Sequence, residues 1–287
     1  MTIKMLKATI LLSLPLFGAC LFLSRNQADW NGLKVTWGLN PFSAFNSVPR
    51  TRAEALSDGW ASLSPGTGCN DNPKFKGERY IKDRDMGVIL IFDANGYIAG
   101  IQIGFPESFS PNPHNYPFPP LKNRAVILDN GNYYVTAYFV DPATICQGRT
   151  ADQFKQQGTG TGLWIQNGTD PVAHSITIPK TKAGADKSMW TEGACFYTMG
   201  LHYWYNLSKD MSCDNLYPVF LLYNGGVLNG FGWAIGMDLK SYSTRIEHPP
   251  QSSYGNFMKP PPDCLSNLGT MTTLHIYLTD SATADTC

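Results

Sequence analysis

The chain has 287 residues with 22 basic and 22 acidic side chains, so its formal charge is zero. Nucleic-acid binding rests on a net basic surface that releases counterions, and no nucleic-acid partner is expected of a chain without one. Charged residues make up only 15% against 13% aromatic, with 27 Gly and 20 Pro, which fits a loop-rich β protein and excludes a helical bundle or a disordered chain.

Lys4 and Lys7 precede an apolar run from Ala8 to Leu23, the pattern of an export signal that is removed from the mature protein. Residues 1–28 are therefore set apart as a signal peptide, with cleavage after Cys20 or after Ala28. An uncleaved type II anchor is the alternative for a run of this length. A lipobox-like reading of Phe17-Gly18-Ala19-Cys20 is weakened by the apolar residues that follow the cysteine. The expected location is extracellular, with no membrane association once the signal is gone.

Beyond the signal, Gly32 to Gly38 reads as a short strand. Thr51 opens a helix, because Glu54 three residues on completes a capping box, and Gly59 ends it. Val88–Phe92 and Tyr97–Ile103 flank Asp93-Ala94-Asn95-Gly96, a hairpin signal, since Asn-Gly tolerates the positive φ of such turns. Tyr133–Val140 is a further strand. Residues 147–161 read as a linker; their Gly158-Thr159-Gly160-Thr161-Gly162 lacks the Gly-Lys-Ser/Thr ending of a phosphate loop and leads into a strand.

The order then starts again. Gly32-Leu33-Lys34-Val35 matches Gly162-Leu163-Trp164-Ile165, and the same offset holds for Pro41 and Pro171 and for Trp60 and Trp190. It also aligns Pro49-Arg50-Thr51-Arg52-Ala53 with Pro179-Lys180-Thr181-Lys182-Ala183. Gly184 replaces Glu54, which predicts a weaker second helix. Val219–Asn224 answers the strand before the hairpin, Asn224-Gly225-Gly226 its turn, and Thr272–Thr279 the last strand. The expected fold class is α+β and β-rich: a tandem duplication of a strand–helix–(three or four antiparallel strands) module in a pseudo-two-fold arrangement, with module 1 over 29–146 and module 2 over 162–287. This element order resembles cystatin-like folds and the paired modules of vicinal-oxygen-chelate proteins. The chain has neither the cystatin inhibitory loop nor the His and Glu ligands of the chelate enzymes, so no family is assigned.

Six cysteines follow the signal, which in an exported chain predicts three disulfides. Equivalence of the modules pairs Cys69 with Cys146 and Cys195 with Cys287, leaving Cys213 for Cys264; an exchange between modules is the alternative. No CxxC or His/Cys zinc spacing occurs, and neither a metal nor a cofactor is expected. Asn167 and Asn206 begin sequons and are expected to be glycosylated if the source is eukaryotic.

Where equivalent positions diverge, function has room to specialise. Arg79-Tyr80 faces His202-Tyr203-Trp204 in the comparison of halves, so these five residues are the candidate ligand contacts, with the reservation that alternate residues of a strand belong to the core. The five histidines, His114, His174, His202, His248 and His275, lack metal-site spacing and read as scattered surface residues. Asp85 and Asp210 recur before a methionine and are expected to close turns. No G-x-S-x-G, H-E-x-x-H or Cys-His nucleophile pattern is present, so no catalytic residue is assigned and a non-enzyme is expected. The leading expectation is an extracellular protein binding a glycan, small molecule or protein partner at the inter-module cleft. The alternatives are an extracellular hydrolase using carboxylate and His residues and a structural protein of a secreted matrix or coat.

Overall fold

In a computed structural model of the chain, residues 28–40, 42–108, 124–240 and 245–287 are described; the export-signal segment and His114 lie outside them. Alternation along the long strands decides the architecture. In β5 (Asp85–Phe92) and β13 (Val219–Asn224), Val88, Leu90 and Phe92 share one buried cluster with Val219, Leu221 and Tyr223. Ile101, Ile103 and Phe105 of β6 (Ile98–Pro106) and Phe231, Trp233 and Ile235 of β14 (Val227–Ile235) join it. Successive strand residues face opposite sides, so Ile89, Ile91, Phe220 and Leu222 fall into separate clusters on outer faces. Two antiparallel sheets therefore sandwich one core, each with its outer face covered by loops.

The remaining strands are β1 (Lys34–Val35), β2 (Asn46–Ser47), β3 (Ala61–Ser62), β4 (Glu78–Lys82), β7 (Val126–Asp129), β8 (Asn132–Tyr138), β9 (Trp164–Gln166), β10 (Ser175–Thr177), β11 (Trp190–Phe196), β12 (Gly200–Tyr205) and β15 (Thr272–Tyr277). The first sheet runs β10-β9-β8-β6-β5-β4-β3 with β7 beside β8, and the second runs β11-β12-β13-β14-β15-β1-β2. Each half of the chain thus gives its opening strands to the other half's sheet. Lys34 and Val35 stand opposite Tyr277 and Ile276, while Trp164 and Ile165 stand opposite Tyr138 and Ala137. The strand read over 32–38 is cut to two residues because Thr36 turns the chain with φ 73°.

Matching positions make matching bonds. The Arg52 N–H donates to the Gly96 carbonyl and the Lys182 N–H to Gly226; the Phe139 N–H donates to Ala99 and the Leu278 N–H to Asn229. Helices are short. In α1 (Arg52–Ser57) the Thr51 hydroxyl accepts from the Glu54 N–H and the Glu54 carboxylate from the Thr51 N–H, a complete capping box. α3 (Lys182–Ala185) has Gly184 in place of the reciprocal acceptor and runs for only 4 residues. The stretch read as a linker contains α2 (Ala151–Gln157), capped by Thr150 and Gln153. It is fastened by buried Arg149, whose Nε lies 3.2 Å from the Asp93 carboxylate in the β5–β6 turn.

The disulfides are Cys69–Cys146, Cys195–Cys287 and Cys213–Cys264, the set expected from equivalent halves. They are compatible with an oxidising, extracellular setting. Among the described residues no helix is long and apolar enough to cross a membrane.

Candidate functional site

The outer face of the second sheet is hollowed by its own sequence. Along β14, Gly230, Gly232 and Ala234 alternate with Phe231, Trp233 and Ile235. The large residues enter the core, and the small ones leave a trough on the outside. One transverse row reads Trp204, Phe220, Gly232, His275. A Cβ on Gly232 would stand 2.2 Å from Phe220 Cζ, so glycine is what lets that ring lie across the trough. The segment from Pro249 to Met258 roofs it, held where the Phe257 carbonyl accepts from Trp204 Nε1 (2.9 Å) and from the Ala194 N–H (3.0 Å). Trp37, carried in just after β1, closes one side, edge-on to Phe196 at 5.5 Å, with its Nε1 donating to Thr198 Oγ1 at 2.8 Å.

A cavity of about 350 Å³ remains, with Trp37, Phe196, Trp204, Phe220, Tyr254 and Phe257 among its walls. His202, His275 and Glu247 are among its polar groups, with His248, Ser253, Asn256 and Thr273. His202 Nδ1 lies 3.1 Å from the Ala194 carbonyl, which can only accept, so that nitrogen carries the proton. His275 Nδ1 lies 2.5 Å from Glu247 Oε2. Both Nε2 atoms are buried with no hydrogen-bond partner among the described residues, and the rings stand 6.0 Å apart at 86°. Burial, reinforced by His275 whenever that ring is protonated, pushes His202 down to about 3, so it is neutral at physiological pH. Burial alone would raise the Glu247 carboxyl; His275 and the Trp37 N–H, 2.6 Å away, outweigh it and hold the group below its ordinary value.

The five candidate ligand contacts separate. His202 and Trp204 line the cavity. Tyr203 turns into the core, its hydroxyl 2.5 Å from Asp186 and 3.1 Å from Glu192. Arg79 and Tyr80 lie in the other sheet: Arg79 is 3.5 Å from Asp129 with its guanidinium over Phe75, and Tyr80 packs edge-on to Phe92 in the core. There the matching row reads Ile81, Ile89, Gln102, Thr136. Gln102 donates to Thr136 at 2.8 Å and fills the space that Gly232 leaves open.

No spacing in the sequence singles out Glu247, Trp37 or Gly232, and His275 reads there as a surface residue; the alternation of small and large residues through β14 is the available signal. His174 and His248 are exposed, whereas His202 and His275, expected at the surface, are buried beside each other on adjacent rows of the sheet. Asp85 closes a turn by accepting from the Gly87 N–H at 2.9 Å, and Asp210 is exposed. Asn206 is exposed at the end of β12, and Asn167 is half-buried. Among the described residues no three His, Cys, Asp or Glu side chains converge as a metal site would need.

A second, more polar cleft lies where Asp29 to Asn31 meet Lys180, Asn229 and Asp285. Asp285 is buried, with one oxygen 2.7 Å from Asn229 Nδ2 and the other unpartnered among the described residues. Burial raises it to about 7. The folded chain thus keeps this proton up to about pH 7, whereas the unfolded chain releases it near pH 4. Its contribution is complete below pH 4 and is lost as the pH rises through 7. Asp285→Asn is therefore expected to stabilise the protein at pH 8 by about 2 kcal/mol, after discounting for solvent at the cleft, and to change nothing at pH 4. Urea midpoints of both proteins at both pH values test this, and an equal gain at each pH would refute it.

No family model, curated protein or solved structure matches the chain.

Proposed function

We propose that the chain is a secreted, disulfide-bonded binding protein built by duplication, whose second module has opened a small-molecule pocket on the outer face of its sheet. The observation that carries this is the difference between matching rows: Gly232 and His275 leave a cavity where Gln102 and Thr136 fill one. At about 350 Å³ the cavity falls within the range of small-ligand pockets, which combine apolar walls with few convergent polar groups. The ligand is a compact, mainly apolar molecule with a flat ring. A glycan fits poorly, because its many hydroxyls would need more polar partners than this wall offers. The corresponding sheet orders and hydrogen bonds of the halves support the duplication, and the three disulfides with the basic-then-apolar leader support export.

Titration with an aromatic dye that brightens in apolar surroundings tests the pocket. One site per chain is expected. Asn256→Trp, at the exposed rim, should block the site, and Trp37→Ala should weaken binding tenfold or more, about 1.4 kcal/mol. Undiminished binding by Asn256→Trp would place the dye elsewhere and end the proposal.

The oriented pair Glu247–His275 favours hydrolysis as the second reading, with His275 as general base toward water. An activated aryl ester that fits the pocket is the test substrate; turnover that survives His275→Gln removes this reading.

A further inference from the structure

Two imidazole nitrogens buried in an aromatic wall without partners cost free energy unless a bound species takes up their lone pairs. Both rings are held as metal-binding histidines are held. The distal nitrogen of such a residue donates to a carboxylate or a backbone carbonyl, which fixes the tautomer and turns the other nitrogen to the ion. Glu247 plays that part for His275 and the Ala194 carbonyl for His202. An ion about 2.0 Å from each ligating nitrogen lies roughly 3.2 Å from each ring centre, so two rings sharing it stand roughly 5.5 Å apart at a trigonal ion and roughly 6.4 Å apart at a linear one. The separation here is 6.0 Å.

The neighbours decide which ion. Glu247 is taken up at the other nitrogen of His275, and among the described residues no group of three His, Cys, Asp or Glu could hold an ion, so the four-ligand site that zinc prefers is not assembled. What lines the same cavity instead is sulfur: Met199, Met258 and Met271. Thioethers are soft donors that select the cuprous ion, and imidazole suits copper equally. A neutral donor set also matches a monovalent cation, and the ionised Glu247 beside His275 balances its charge inside an apolar enclosure.

We propose that this cavity binds one cuprous ion through Nε2 of His202 and Nε2 of His275, with a methionine thioether completing the coordination. The site occupies the pocket on which the proposed function rests, and metal and dye are therefore measured separately. The full chain carrying Cys20→Ser, which removes the one cysteine outside the three disulfides, is titrated anaerobically with Cu(I) against a chromophoric Cu(I) chelator.

One ion per chain is expected, with nitrogen and sulfur scatterers in its X-ray absorption spectrum. His202→Gln and His275→Gln should each weaken it by a hundredfold or more, and Met199→Leu/Met258→Leu/Met271→Leu should remove the sulfur scatterer. Near-ultraviolet circular dichroism identifies any variant that has not folded; the wild-type absorption spectrum then decides by itself, an oxygen-only or thiolate shell overturning the site. No Cu(I) uptake, or equal uptake by both His variants, overturns the copper site while leaving the dye pocket standing. Copper uptake without dye binding supports the copper site and removes the pocket reading.

Discussion

Asp93→Ala is expected to destabilise the protein by about 4 kcal/mol, the range for stripping one partner from a buried ion pair. Asp93 is fully buried, and both of its oxygens are in use. One accepts from the backbone N–H groups of Asn95 and Tyr97, shaping the β5–β6 turn. The other accepts from Arg149 twice, through Nε at 3.2 Å and through its backbone N–H at 3.1 Å. Arg149 also donates to the carbonyls of Gly158 and Ile98, so it ties the connection between the halves to the first hairpin. Removing the carboxylate leaves a guanidinium buried without its counter-charge. Arg149→Met in the same chain should recover part of the loss, because an apolar pair is not charged for desolvation. Urea unfolding of the two single variants and the double variant measures this. A single Asp93→Ala variant within 1 kcal/mol of wild type would show that the pair contributes little.

The second large effect concerns the halves. Residues 28–161 and 162–287, expressed separately, are each expected to remain unfolded, and mixing them during refolding should restore the native protein. Every disulfide closes within one fragment, so the crosslinks are not what is lost. Each fragment lacks the two strands that the other supplies, and with them part of the shared core: Trp30, Leu33, Val35 and Val48 from one side, Leu163, Ile165 and Ile178 from the other. Amide chemical-shift dispersion is the readout. A well-dispersed spectrum from either fragment alone would mean that the exchanged strands are dispensable.

Local chemistry was legible in the sequence. The Thr51–Glu54 capping box, the weaker helix at Gly184 and the two glycine turns depend on residues a few positions apart, and all are present. The disulfide set followed from matching the halves. Exchange of the opening strands was not legible: a two-residue strand carries almost no periodicity, and its partner is fixed by packing across the whole chain. The candidate site was half legible for the same reason. His202 and Trp204 were singled out by divergence between the halves, but a strand's neighbours in sequence face opposite sides, which sent Tyr203 inward. Glu247 and His275 meet them only through register across three further strands, which no spacing rule encodes.

The pairing of Lys34 with Tyr277 also sets an order of events at the ribosome. The first sheet has all its described strands once Thr177 has emerged, but the second lacks β15, the strand that β1 pairs with, until Tyr277 is made. Throughout that interval the segment carrying Trp30, Leu33 and Val35 lacks the strand it pairs with, although these are among the first folded residues synthesised. Vectorial synthesis therefore holds an apolar N-terminal segment exposed for nearly the whole of translation, a period in which a chaperone or the translocation machinery would have to shield it. A premature stop anywhere before β15 leaves the segment permanently without its partner, so truncated products should be recognised and degraded, not accumulate as a stable half.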